Sequence, residues 1–145
     1  MKRIGIIGFG GICNGVHLPG YQAISNKANV TAVCDINPKK LELAKQKLGL
    51  SDECLFTDYR DLIASGLVDA VDICTSNDAH CEIAEAAIDA GLDFSVEKPI
   101  GLSYAEAKHL YDKAKNSNVK SFTCFSWRYR APTRLMRDIV TSGQL

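Results

Sequence analysis

Lys2-Arg3-Ile4-Gly5-Ile6-Ile7-Gly8-Phe9-Gly10-Gly11-Ile12-Cys13 opens the chain. Ile4, Ile6 and Ile7 make a short β-branched run, and a glycine-rich turn follows at once. A strand that ends in such a turn and opens a helix can hold a pyrophosphate, because the helix's first N–H groups have no partner inside it. Gly8 is read as the tight turn. Gly10, beyond Phe9, is the point where backbone comes close to the phosphates. The N–H groups of Gly11 and Ile12 are the donors aimed at the anion. Cys13 stands at the third glycine position of G-x-G-x-x-G, where close packing of helix on strand needs a small residue. The pattern alone is weak, so the surrounding chain decides what it means.

Outward from this stretch, apolar strand patterns alternate with helical ones. Asn29–Asp35 reads as a second strand, rich in β-branched residues. Asn37-Pro38 starts a helix, with Asn as cap and Pro at its first position, carrying Leu41, Ala44 and Leu48 on one face. Glu53–Thr57 is a short third strand, and Asp58 caps a brief helix through Leu62 and Ile63. Val68–Thr75 is the fourth strand and 78–90 its helix; Asp93–Glu97 is the fifth strand. Ser103 and Glu106 form a capping box for a helix whose face is Tyr104, Ala107, Leu110, Tyr111 and Ala114. Val119–Phe125 is the sixth strand, and an amphipathic helix runs from about Pro132 to Thr141. Pro19 is expected to split the first helix into a piece at Ile12–Val16 and a second piece through Ile24. Such alternation predicts an α/β fold: a doubly wound, parallel, six-stranded sheet in the order 3-2-1-4-5-6, the Rossmann fold.

Composition narrows the function. The 145 residues are 46% apolar and 23% charged, which suits one soluble globular domain. Seventeen basic side chains balance 17 acidic ones, and no basic block occurs. A nucleic-acid partner gripped through phosphates and an anionic membrane surface are both disfavoured. Met1-Lys2-Arg3 runs straight into the first strand without a leader-type apolar segment, so a cytoplasmic location is expected. The six cysteines (13, 34, 54, 74, 81 and 124) show neither C-x-x-C nor zinc-type spacing, and no metal site is expected. Four of them, 34, 54, 74 and 124, fall in predicted strands and read as buried reduced thiols.

Four places can carry chemistry. Asp35 closes the second strand, where a carboxylate can accept hydrogen bonds from the hydroxyls of an adenosine ribose. Its charge favours NAD over NADP, although Lys39 and Lys40 nearby offer a phosphate a partner; the alternative is a turn aspartate before a capped helix. Thr75-Ser76-Asn77-Asp78-Ala79-His80 leaves the fourth strand beside the topological switch point. Its short polar side chains either line a cofactor groove or cap the following helix. Glu97-Lys98-Pro99 leaves the fifth strand on the same edge. Lys98 is either a substrate-polarising ammonium or a solvated surface charge. Trp127-Arg128 suits a flat ring and an anion, or else packs at the domain edge.

Taken together, GFGGIC with His17-Leu18-Pro19, Cys34-Asp35, T-x-N-x-x-H, EKP and WRY resemble the Gfo/Idh/MocA oxidoreductases along the whole chain. The resemblance implies a nicotinamide cofactor and reversible hydride transfer to or from a secondary alcohol, often of a sugar or cyclitol. It implies that Gly8, Phe9, Gly10, Gly11 and Ile12 cradle the pyrophosphate and that Asp35 holds the ribose. Thr75, Ser76, Asn77 and His80 would line the groove, and Glu97 and Lys98 would meet the nicotinamide end. Lys98, the catalytic residue, would also touch substrate, with Trp127 and Arg128 close by. Cys13 and Ser76 depart from the Ala or Gly and the Pro usual at their positions. Relatives carry a second α/β domain that supplies an acid/base pair, so residues 1–131 are expected to bind NAD(P). Residues 132–145 are expected to form a crossover helix toward a substrate domain absent from this chain. The chain alone is then expected to bind cofactor weakly and to turn nothing over. Self-association through Leu135, Met136 and Ile139 stays open. Two other readings also stay open: a non-catalytic nucleotide-binding regulatory or redox-sensing module, and a methyltransferase, which leaves EKP without a task.

Overall fold

The structure, a computed structural model, describes residues Met1–Leu145. Six parallel strands form one sheet in the order β3-β2-β1-β4-β5-β6. They are β1 (Lys2–Ile7), β2 (Ala28–Cys34), β3 (Leu55–Phe56), β4 (Ala70–Ile73), β5 (Asp93–Val96) and β6 (Ser121–Thr123). The predicted order holds. The predicted third, fourth and sixth strands are too long, because each segment leaves the ladder to enter a turn. Glu53 lies in a 3-10 turn before β3, and Cys124 and Phe125 lie beyond β6.

The crossovers are α1 (Leu18–Ala23), α2 (Pro38–Leu48), α3 (Tyr59–Ala64), α4 (His80–Asp89) and α5 (Tyr104–Lys115), and α6 (Ala131–Thr141) follows β6. Local chemistry sets their starts. The Asn37 side chain accepts from the Lys39 N–H, Asp58 from Arg60 and Ser103 from Glu106. The capping box at Ser103 closes one residue early: the Glu106 carboxylate accepts from the Leu102 N–H at 2.8 Å.

Pro19 does not split the first helix. Helical backbone runs continuously from Gly11 to Ala23, and the proline is absorbed by a π-helical stretch at Cys13–His17. There the Leu18 N–H reaches back five residues to the Cys13 carbonyl.

Successive strand residues face opposite sides of the sheet, and this divides the core in two. Ile6 and Val33 pack with Phe9, Cys13, Leu18, Leu41, Ala44 and Cys74 under α1 and α2. Ile7, Ala32, Cys34, Val71, Ile73 and Val96 pack with Leu62, Ile83, Ala84, Ala87, Ile88 and Leu110 under α3, α4 and α5. Of the predicted α5 face, only Leu110 is fully buried; Tyr104 and Tyr111 are exposed. On α6, Leu135, Met136 and Val140 are exposed and no residue is buried.

Leu62, on the short helix α3, is fully buried, and its Cδ2 lies 2.7 Å from where a Cβ on Gly5 would stand. The Leu62→Ala variant is therefore expected to lose about 2–5 kcal/mol of stability. Urea denaturation monitored by far-UV circular dichroism checks this, and an unchanged midpoint would contradict it.

Candidate functional site

The glycine turn is built by exclusion. Gly8 has φ +94°, and a Cβ there would lie 2.6 Å from the Cys74 carbonyl oxygen and 2.8 Å from the Thr75 nitrogen. No other residue fits that contact. Its N–H donates to the Cys34 carbonyl at 2.8 Å, so the turn sits where β1, β2 and β4 end together. Phe9 buries its ring in the core beneath α1 and α2, and its N–H donates to Asp35 Oδ2 at 2.8 Å. Gly10 and Gly11 leave open space, with only the Lys40 ammonium within 4.0 Å of a Cβ built on Gly10. The Asn14 N–H makes its helical bond to the Gly10 carbonyl. The N–H groups of Gly11, Ile12 and Cys13 precede that bond and carry the helix's positive end. Asn14 also ties the turn down: its amide donates to the Phe9 and Gly10 carbonyls and accepts from Lys47. Nothing in the sequence singled out Asn14, because a polar residue on an exposed helix turn carries no distinctive signal.

Beside the turn lies a cleft of about 510 Å³, lined by Gly8, Gly10, Asp35, Lys40, Thr75 and Ser76 together with Tyr59 and Arg60. Asp35 is buried at its edge. Oδ2 accepts from Phe9 and lies 3.3 Å from Lys40 Nζ, and Oδ1 accepts from the Asn37 N–H at 2.9 Å. Sequence reasoning anticipated Asp35 and Lys40 and missed Tyr59 and Arg60, which α3 delivers from across the sheet. Arg60 lies over the Tyr59 ring at 4.4 Å and pairs with Glu82 at 2.5 Å.

The loop after β4 divides its residues. Thr75 and Ser76 line the cleft, and Asn77 is exposed on a 3-10 turn. Neither Asn77 nor Asp78 caps α4, whose cap position is Ala79 with no side-chain bond. His80 is fully buried as the first residue of α4. Its Nδ1 lies 2.7 Å from the Pro99 carbonyl and its Nε2 3.2 Å from the Thr75 carbonyl, so the ring fastens two loops together.

After β5, Glu97 is buried and Lys98 is exposed. The Lys98 N–H donates to Glu97 Oε2 at 3.1 Å, and the Lys98 ammonium has no side-chain partner. Trp127 and Arg128 lie on a 3-10 turn after β6; the Trp127 ring is exposed and covered on one face by Arg130 at 4.1 Å.

One group at this edge carried no role in the sequence reading. His17, in the π-helical stretch, places Nδ1 2.8 Å from Asp72 Oδ2 and Nε2 2.9 Å from Glu97 Oε1. Its side chain is 10% exposed, Asp72 is buried within β4, and Ser95 donates to Asp72 Oδ1 at 2.6 Å. Hydrogen bonding to Asp72, ahead of the opposing cost of burial, raises the imidazole pKa to about 9. Burial pushes the Cys34 and Cys124 thiols up to about 12 and the Tyr21 hydroxyl well above its ordinary value. All six cysteines are free. Only Cys34 lies in a strand; Cys54, Cys74 and Cys124 lie just outside β3, β4 and β6.

The likeness to known proteins covers this geometry. A sequence model of the Gfo/Idh/MocA group, described as an oxidoreductase family with an NAD-binding Rossmann fold, matches residues 2–125. Myo-inositol 2-dehydrogenase of Thermotoga maritima is 31% identical over 143 residues, covering 99% of this chain and 42% of the relative. An oxidoreductase structure from Thermotoga maritima superposes with a TM-score of 0.92 at 26% identity, over 99% of this chain and 44% of that one. The WlbA dehydrogenase of Bordetella pertussis, solved with NADH and UDP-GlcNAcA, gives a TM-score of 0.90 at 25% identity, over 98% of this chain and 42% of that one. The chain thus spans about two fifths of the length of these proteins. No helix is long and apolar enough to cross a membrane.

The raised His17 pKa makes stability depend on pH. An imidazole at about 9 in the folded chain and ~6.5 unfolded adds on the order of 3 kcal/mol, complete below pH ~6.5 and lost as pH rises through about 9. Denaturation free energies at neutral and alkaline pH are expected to fall accordingly for the native chain. They should fall much less for His17→Gln, and parallel pH dependence in the two would refute the assignment.

Proposed function

We propose, from the premise that this chain belongs to the Gfo/Idh/MocA oxidoreductases, that it holds the nicotinamide nucleotide of a dehydrogenase acting on a secondary alcohol of a sugar or cyclitol. The observation that carries the reading is the Gly8 turn. It is backbone that only glycine can occupy, pressed on the β4 edge, with a helix N-terminus in front of it and the buried Asp35 carboxylate at its side. The likeness to a myo-inositol 2-dehydrogenase supports the substrate class.

Gly8, Phe9, Gly10, Gly11 and Ile12 cradle the pyrophosphate: Gly11 and Ile12 offer it free backbone N–H groups, Gly10 leaves it room, and Gly8 and Phe9, whose N–H groups are bonded to Cys34 and Asp35, shape the turn. The Phe9 side chain acts from the core, by holding the turn in shape. Asp35 receives the adenosine ribose with the lone pairs that Phe9 and Asn37 leave free, which favours NAD. Lys40 at 3.3 Å partly neutralises it and leaves NADP accessible. Thr75, Ser76 and Asn77 line the groove, and His80 holds that loop from behind. Glu97, Lys98, Trp127 and Arg128 stand toward the nicotinamide end. Bound nicotinamide supplies the hydride acceptor or donor. The unpaired Lys98 ammonium donates a hydrogen bond to the substrate's reacting oxygen and stabilises negative charge there.

Residues 1–131 are the cofactor domain in this reading. Residues 132–145 lead toward a substrate domain, with the exposed Leu135, Met136 and Val140 of α6 supplying apolar surface for it or for another copy of the chain. Six free thiols suit the cytoplasm.

Titration with NADH followed by Trp127 fluorescence tests the reading. Asp35→Ala is expected to bind NADH about tenfold more weakly, from loss of charge-assisted hydrogen bonds. Its preference should move toward NADPH. Equal NADH affinity in wild type and variant would remove the ribose assignment.

A further inference from the structure

Two histidines grip the same pair of strand ends from opposite faces of the sheet. His80, on the α4 face, joins the carbonyls of Thr75 and Pro99, which follow β4 and β5. His17, on the α1 face, joins the side chains of Asp72 in β4 and Glu97 after β5. The His17 grip is ionic. Both its nitrogens face carboxylate oxygens at under 3 Å, and a neutral ring, which carries one N–H, would turn a lone pair toward one of those anions.

Every other group that faces His17 is neutral or anionic. Cys13 and Tyr21 share its helical stretch, Cys74 Sγ lies 3.6 Å from Nδ1, and Cys124 approaches from the end of β6. The imidazolium is thus the only cation among two buried carboxylates. Glu97 passes this order on. With Oε1 held by His17, its Oε2 accepts from the Lys98 backbone N–H, and this fixes the start of the loop from which the Lys98 ammonium projects.

We propose that His17 is a positioning residue for the nicotinamide end of the site, and that its imidazolium sets the Glu97 carboxylate and, through it, the Lys98 loop. The inference rests on the nucleotide-binding reading above. It assigns His17 no contact with cofactor or substrate. It predicts that the two ends of the cofactor respond differently to the His17 charge. The adenosine and pyrophosphate end is held by the Gly8 turn and Asp35, which contact neither Asp72 nor Glu97.

Two probes separate the ends: NADH, and ADP-ribose, which keeps the adenosine and pyrophosphate and lacks the nicotinamide. Affinity for each is measured by calorimetry on the full chain from about pH 6 to pH 10.5. For the wild type, NADH affinity is expected to hold to about pH 8 and then fall about tenfold as the His17 proton is lost, while ADP-ribose affinity changes less than about twofold. His17→Gln, a neutral donor of similar reach, should show the weakened NADH binding already at pH 7 and no further step on raising the pH. The wild-type profile needs no variant, so misfolding of His17→Gln leaves the inference testable. If NADH and ADP-ribose weaken together, or if the step persists in His17→Gln, the positioning role falls and the nucleotide-binding reading stands. If the wild type binds neither probe at any pH, the nucleotide-binding reading itself falls, and the inference falls with it.

Discussion

The close approach of Gly8 to the β4 edge constrains everything around it. A Cβ there would strike the Cys74 carbonyl at 2.6 Å, so β1 and β4 can meet at the switch point only with bare backbone between them. That contact brings the glycine turn beside the loop after β4, and it opens the cleft into which Asp35 and Thr75 project. The bond from the Phe9 N–H to Asp35 adds the β2 end to the same knot. Three strand ends are thereby held by one glycine, one carboxylate and a few backbone bonds, all within the first part of the chain.

A second knot lies on the other side of the switch point and works through charge. Asp72 is a carboxylate in the middle of a buried strand, and such a group is costly unless it is paired and hydrogen-bonded. Here Ser95 and His17 both donate to it, and Glu97 shares the same imidazole. No buried side-chain polar atom in the molecule lacks a partner. A core made only of apolar side chains would hold the sheet as well, but it would not fix the direction in which the chain leaves β5.

Much of this was legible in the sequence, because much of it is periodic. Alternating apolar runs and glycine or asparagine punctuation reveal the strand order, the caps at Asn37 and Asp58, and the two-faced core. Asp35 was legible because its place at a strand end after a glycine turn is local. The misses are of another kind. His17 lies in a helical stretch where spacing says nothing about charge, and its partners are 55 and 80 residues away. Asp72 interrupts an apolar strand and reads simply as a flaw in the pattern. His80 reads as a groove residue on an exposed first turn, yet it is sealed in by a loop that only the fold brings over it. The sixth strand is shorter than its composition suggests because Val119, Cys124 and Phe125 keep a strand's composition outside the paired residues.

The π-helical stretch at Cys13–His17 has a bearing on how this architecture tolerates change. A turn closed five residues back carries one residue more than an α-turn, so everything after it is rotated by about one residue's worth of helical phase relative to everything before it. The free N–H groups of Gly11 and Ile12 beside the glycine turn stand on one side of that offset, and His17, with Leu18 and Tyr21, on the other. Trimming a single residue here would give a more regular helix that could still satisfy the glycine turn or the buried carboxylates, but not both at once. The two knots at the sheet edge are thus kept in register by a helix that is one residue longer than regularity asks.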